Sequence, residues 1–317
     1  MPKDLKVHKL LILSEDYEIY RQVIQERIEG LTILATSQPA MASQMAGECD
    51  ILFGEPSLIR QVVDELPAIK WIQSSWAGVE PLLASGLRRD YVLTNARNVY
   101  GSMMSEYVFG YLLMIERRVL ERWKSQLNRD WDVRPTRCLK GKTIGLLGVG
   151  SIGAHLAGTA KHFGMRVHGF TRRSETCEDV DRYFHGGTLL DFARKLDYLV
   201  CSLPGTGDTA GIVDEIFISA LPRHAWLINV GRGNTVNEDA LVEALNEGTI
   251  AGAVLDVFSQ EPLPKDHPFW STPNTFITAH TAAKNIPEEI AEIFIENFGL
   301  YREGKPLKYS VDFNLGY

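Results

Sequence analysis

The fold is decided by "KTIGLLGVGSIGAHLAGTAKHFG", residues Lys142–Gly164. The apolar run Thr143–Leu147 reads as a buried strand. It leads into Gly148-x-Gly150-x-x-Gly153, after which Ile152, Leu156, Ala160 and Phe163 recur at helical spacing as far as a stop at Gly164. Strand, glycine turn and helix, in that order, is the context in which this pattern binds a dinucleotide. Gly148 permits the tight turn, Gly150 lets a pyrophosphate approach the backbone, and Gly153 lets helix and strand pack closely. The first helical N–H groups, from Ser151 and Ile152 onward, and the positive end of the helix dipole face the phosphates.

The strand after that helix, "MRVHGF", ends about 20 residues beyond the glycine turn, where an NAD enzyme places Asp or Glu on the ribose 2′-hydroxyl. This chain has Thr171, Arg172, Arg173 and Ser174 there. A carboxylate would repel the extra phosphate of NADP, whereas two guanidiniums and two hydroxyls pair with it. NADP(H) is therefore expected over NAD(H). The other reading makes Arg172 and Arg173 solvated loop charges on an NAD enzyme.

On either side of this segment, strand-like and helical patterns alternate, the signature of parallel sheets covered on both faces. "KLLILS", "DILFGEP", "AIKWIQSSWAG" and "YVLTNA" are short apolar runs in the first hundred residues, and "EIYRQVIQERIEG" is a helical pattern ending at Gly30. Ser102–Arg118 reads as one unusually apolar helix, suited to packing between domains or subunits. The polar stretch "RDWDVRPTRCLKGK" reads as a connector.

With 317 residues, 45% of them hydrophobic, the chain is long enough for about two domains. A net charge of -7 and the lack of a long basic run argue against a nucleic-acid or anionic-membrane partner. The apolar runs are too short for a membrane span, and the start of the chain lacks a signal-peptide pattern. Cys49, Cys138, Cys177 and Cys201 lie far apart without metal-type spacing, which suits reduced thiols and the cytoplasm.

Three further segments place chemistry at strand ends. "AWLINVGRGNTVNEDALVEALNEG" is a strand ending at Gly231, then Arg232, then a helix capped by Asn237. "GTIAGAVLDVFSQEPLP" gives a strand with Asp256 near its end and Glu261 before a proline, and "NTFITAHTAAKN" reads as a strand ending at His280. Open α/β sheets bind ligands outside these carboxyl ends. Reduction of a 2-keto acid needs a cation for the carboxylate and an acid for the carbonyl oxygen. A guanidinium suits the first task, and an imidazole backed by a carboxylate suits the second.

From Leu146 to His280 the chain resembles the D-isomer-specific 2-hydroxyacid dehydrogenase family, through "GVGSIG", "LPGTGDT", "NVGRG", "LDVFSQEPLP" and "HPFW" in family order. The first hundred residues resemble it at fold level and through "SSWAGVEPLL". The resemblance implies Arg232, Glu261 and His280 as the catalytic set, and Ala77 and Gly78 as backbone N–H contacts for the substrate carboxylate. It places Leu203 and Pro204 beside the adenine ribose, Val230 and Asp256 near the nicotinamide, and Met104 against its ring. The family usually has Pro before the catalytic His, where this chain has Ala279. Glu261 speaks against the formate dehydrogenase branch, which has Gln there.

The implied architecture is two doubly wound, Rossmann-like and flavodoxin-like parallel-sheet domains with an interdomain active-site cleft. Residues 1–100 plus 285–317 would form a discontinuous substrate-binding domain, and 101–284 the dinucleotide-binding domain. After His280, a helix with Pro287 in its first turn and Ile290, Phe294, Phe298 and Tyr301 along one face returns to the first domain. A homodimer through the 102–118 region is expected. The expected activity is NADP-linked interconversion of a small 2-keto acid, glyoxylate or hydroxypyruvate, and its D-2-hydroxy acid. Two other readings stand: a cofactor-sensing binding protein of the corepressor type, and an NAD-dependent dehydrogenase for bulkier acids. Trp76, Tyr100, Met103 and Tyr107 are either pocket lining or core.

Overall fold

A computed structural model of the chain describes residues 8–172 and 174–317, so Arg173 lies outside the described residues. The chain divides into two units, Met1–Val99 with Asn285–Tyr317, and Tyr100–Lys284.

In the first unit, Lys9–Leu13 (β1), Thr32–Thr36 (β2), Ile51–Gly54 (β3), Trp71–Ser74 (β4) and Val92–Thr94 (β5) form a parallel sheet in the order β2-β1-β3-β4-β5. Leu10 to Leu13 are all buried, because a parallel sheet covered on both faces favours continuous apolar runs over alternation. The helix Pro287–Arg302 starts on Pro287, whose missing N–H costs nothing in a first turn. It lays Phe294 between two strands' aromatics, stacked on Trp71 at 5.1 Å and on Phe53 at 5.2 Å. Beside it, fully buried Asn297 donates to Gln73 Oε1 at 3.1 Å and accepts from Lys308 N at 2.8 Å, so the helix is placed by polar contacts as well as by packing.

In the second unit, Thr143–Leu147 (β6), Arg166–Phe170 (β7), Arg182–Phe184 (β8), Tyr198–Cys201 (β9), Trp226–Asn229 (β10), Gly252–Leu255 (β11) and Thr275–Ile277 (β12) form a second parallel sheet, ordered β12-β11-β10-β9-β6-β7-β8. The chain direction across this sheet reverses at β6, which pairs with β7 on one side and β9 on the other. Such a reversal splays the loops at the carboxyl ends and opens a crevice for a ligand.

Two elements differ from the sequence expectation. The helix expected over Ser102–Arg118 runs Gly101–Glu116, and a second helix, Val119–Leu127, follows it. Arg118 adopts the left-handed conformation at φ 55°, which redirects the chain between them. The strand expected to end at His280 stops at Ile277: Thr278 N–H still donates to Leu255 O at the end of β11, but His280, Thr281 and Ala282 turn to bond with Asp256 instead. Among the described residues, no helix is long and apolar enough to cross a membrane.

Candidate active site

The glycine turn joins β6 to the helix Ser151–His162 at the point of reversal. A Cβ on Gly153 would lie 2.3 Å from the Gly148 carbonyl oxygen, so only glycine lets the helix start this close to the strand. Ser202, just past β9, donates to that same carbonyl at 3.0 Å and ties the two sides of the crevice together. Gly150 forms the N-cap without a side-chain cap, and a Cβ there would meet nothing within 4 Å. The first turn of this helix therefore faces open space, the condition a phosphate needs to reach its N–H groups. Leu203 packs partly buried against the core, and Pro204 O accepts from Thr209 Oγ1 at 2.6 Å.

The loop after β7 holds Thr171, Arg172 and Ser174, which the sequence reading expects to discriminate the cofactors. Thr171 donates its hydroxyl to Ser174 O at 2.7 Å, and Arg172 pairs with Asp208 at 3.3 Å. His185, which follows β8, touches both ends of this loop, at Thr171 O (2.9 Å) and Glu175 Oε1 (2.6 Å).

Arg232 sits on a turn built by buried Asn229. The Asn229 side chain accepts from Gly231 N at 3.1 Å and donates to Arg232 O at 2.9 Å, closing the turn from both sides. Arg232 itself donates to Gly231 O at 2.8 Å. A Cβ on Gly233 would lie 1.9 Å from the Phe258 carbonyl carbon, so this glycine presses the loop after β10 onto the loop after β11. Phe258 N–H donates to Glu261 Oε1 at 3.0 Å, and Glu261 Oε2 meets His280 Nδ1 at 2.9 Å. A continuous series of contacts thus leads from the arginine turn through Phe258 and Glu261 to His280.

His280 has φ 54°, unusual for a residue with a side chain. Asp256, 1% exposed, holds it there. Its backbone oxygen accepts from His280 N at 2.8 Å, Oδ1 accepts from Thr281 N at 2.8 Å and from the Thr278 hydroxyl, and Oδ2 accepts from Ala282 N at 3.0 Å. Thr278 in turn meets Tyr107 OH at 2.7 Å. Burial raises the ionisation of the Tyr107 phenol well above its ordinary value, so it remains a neutral hydrogen-bonding group.

The structure thus brings Arg232, Glu261, His280 and Asp256 to adjoining loops at one edge of one sheet. Val230 is buried at the same edge, and Met104 packs partly buried against the core beneath. Ala77 and Gly78 belong to the first unit, where Asn95 donates to Ala77 O at 2.7 Å and Ser74 Oγ accepts from Trp76 N at 3.0 Å. The supporting roles of Asn229, Asp256, Thr278 and Tyr107 escaped the sequence reading. Tyr107 stood there as pocket lining or core, and its hydroxyl belongs to the His280 turn. The one local signal was Asp256 itself, a carboxylate directly after a fully apolar strand.

Residues 109–282 match the family model described as D-isomer specific 2-hydroxyacid dehydrogenase, NAD binding domain. A glyoxylate/hydroxypyruvate reductase A of Klebsiella pneumoniae is 32% identical over 217 residues, covering 68% of this chain and 70% of its own length. Among solved structures, a D-isomer specific 2-hydroxyacid dehydrogenase family protein from Aeromonas salmonicida superposes with a TM-score of 0.90 at 39% identity, over 97% of this chain and 100% of that one. An NADPH-dependent glyoxylate/hydroxypyruvate reductase from Sinorhizobium meliloti, solved with NADP and sulfate, superposes with a TM-score of 0.85 at 25% identity, over 98% and 100% of the two chains.

Proposed function

This chain belongs to the D-isomer specific 2-hydroxyacid dehydrogenase family, and on that premise we propose that it uses NADPH to reduce small 2-keto acids such as glyoxylate and hydroxypyruvate. The product is a 2-hydroxy acid, of D configuration where it is chiral. The observation that carries this reading is the His280–Glu261 pair, 2.9 Å apart, at the carboxyl edge of the same sheet whose point of reversal carries the glycine turn.

The residues present fit the cofactor. The open space at Gly150 and the uncapped helix start suit the pyrophosphate, received by Gly148, Gly150, Ser151, Ile152 and Gly153. Thr171, Arg172 and Ser174 would take the 2′-phosphate, with Arg173 beyond the described residues. Leu203 and Pro204 would lie beside the adenine ribose, and Met104, Val230 and Asp256 beside the nicotinamide. When bound, NADPH supplies the hydride that reduces C2.

The protein's own part is binding and proton delivery. Arg232 pairs with the substrate carboxylate and polarises the carbonyl. With His280 Nδ1 held by Glu261, Nε2 is the nitrogen that gives a proton to the carbonyl oxygen. The carboxylate fixes the orientation of the ring. His280→Ala should lower kcat by about 100- to 10,000-fold while NADPH still binds. Near-normal turnover in that variant would remove His280 from this role.

We further propose a homodimer assembled through the 102–118 region, extended along Val119–Leu127. In this neighbourhood Trp123, Leu127 and Trp131 are exposed, an apolar surface suited to a second copy. All four cysteines are free thiols, which supports a cytoplasmic location.

A further inference from the structure

We propose that His185 determines cofactor specificity: as an imidazolium it neutralises Glu175 and shapes the loop after β7 to receive the 2′-phosphate of NADP(H). This rests on the NADP reading above. His185 Nδ1 lies 2.9 Å from Thr171 O and Nε2 lies 2.6 Å from Glu175 Oε1. A carbonyl and a carboxylate oxygen can only accept. Both ring nitrogens must therefore donate, and only the doubly protonated ring does so. Among the described residues, the other partner of Nδ1 is the Thr171 hydroxyl at 3.2 Å, and that hydroxyl gives its single hydrogen to Ser174 O at 2.7 Å. The hydrogen bonds to Glu175 and to the Thr171 backbone also push the imidazole's pKa above its ordinary value.

The consequence is electrostatic and geometric together. Glu175 is the one carboxylate in the stretch Thr171–Glu175, and left unpaired it would repel an incoming phosphate dianion. The imidazolium cancels that charge and draws Glu175 to the His185 side of the loop. Among the described residues, the titratable and charged groups around the ring are Glu175 from the loop and Tyr183 from β8, whose ring lies parallel to it at 6.2 Å. At the other end of the loop, Arg172 is paired with Asp208. Protonation of His185 and binding of the 2′-phosphate then favour one another, an effect absent for NADH. The effect is fully present below the ordinary imidazole range and fades as pH rises through the raised titration of the ring.

The test is fluorescence titration of the full chain with NADPH and with NADH between about pH 6 and about pH 9. In the wild type, the preference for NADPH should fall about fivefold as His185 loses its proton. His185→Gln should show the low preference at every pH, and Glu175→Gln the high preference even at the alkaline end. Combining the two should restore what His185→Gln alone loses, which a merely structural role of His185 would not allow. A His185→Gln variant that keeps the wild-type pH course would overturn the proposal, as would a Glu175→Gln variant no better than wild type at alkaline pH. Either result with the NADPH preference intact leaves the NADP reading standing. No preference at any pH, unmoved by Arg172→Ala, would remove both.

Discussion

At His280 the backbone is held at φ 54°, and buried Asp256 fixes it through one backbone and two carboxylate oxygens. A left-handed residue persists where its surroundings over-determine it, and such sites concentrate where a side chain must be aimed. Asp256→Asn keeps the volume but sets an amide N–H₂ against a donor, so the turn should loosen and kcat fall by about a hundredfold. Steady-state kinetics would check this, and unchanged kcat would free the turn from Asp256. Glu261→Gln replaces the carboxylate that accepts from His280 Nδ1 with an amide that can turn an N–H₂ toward the ring, so the imidazole should lose its fixed orientation and kcat should fall by about tenfold or more. An unchanged kcat would break the proposed pairing. Arg232, Glu261 and His280 were singled out because each stands at a strand end in a motif of the family that the chain resembles, and the structure brings all three to adjoining loops. The clamp was not: the Tyr107–Thr278 bond joins residues 171 positions apart, and Thr278 lies 22 from Asp256. Local spacing carries no information at that range.

Among the elements, strands and the glycine-turn helix were readable because parallel strands buried on both faces are continuous apolar runs. The three-residue strand Arg182–Phe184 was too short to give a period, and it is what delivers His185 to the cofactor loop. The sequence reading ended the first helix at Arg118, near its observed end, but missed the helix Val119–Leu127, because one left-handed residue redirects the chain without any glycine or proline to mark a new start. The returning helix Pro287–Arg302 is anchored by Phe294 between Trp71 and Phe53. Phe294→Ala should therefore cost about 3–5 kcal/mol, read as a lowered urea midpoint, and a shift within error would mean that the neighbours collapse to fill the space.

For the whole molecule, the βα alternation pointed to parallel sheets, and the structure has two of them. The homodimer proposed above rested, in the sequence, on an apolar helix alone. The structure adds that Trp123 is 55%, Leu127 62% and Trp131 93% exposed in the single chain. Trp123→Glu should shift sedimentation from dimer to monomer, and an unchanged dimer would place the contact elsewhere. The central claim, that this glycine turn, cofactor loop and His280–Glu261 pair make an NADPH-linked 2-keto acid reductase, is tested most directly by initial rates. NADPH and NADH would be oxidised in parallel with glyoxylate, hydroxypyruvate and a series of larger 2-keto acids. Rapid oxidation of NADPH with a small keto acid, weakened specifically for NADPH by Arg172→Ala, is the predicted result; tight NADPH binding with no turnover on any acid would contradict it.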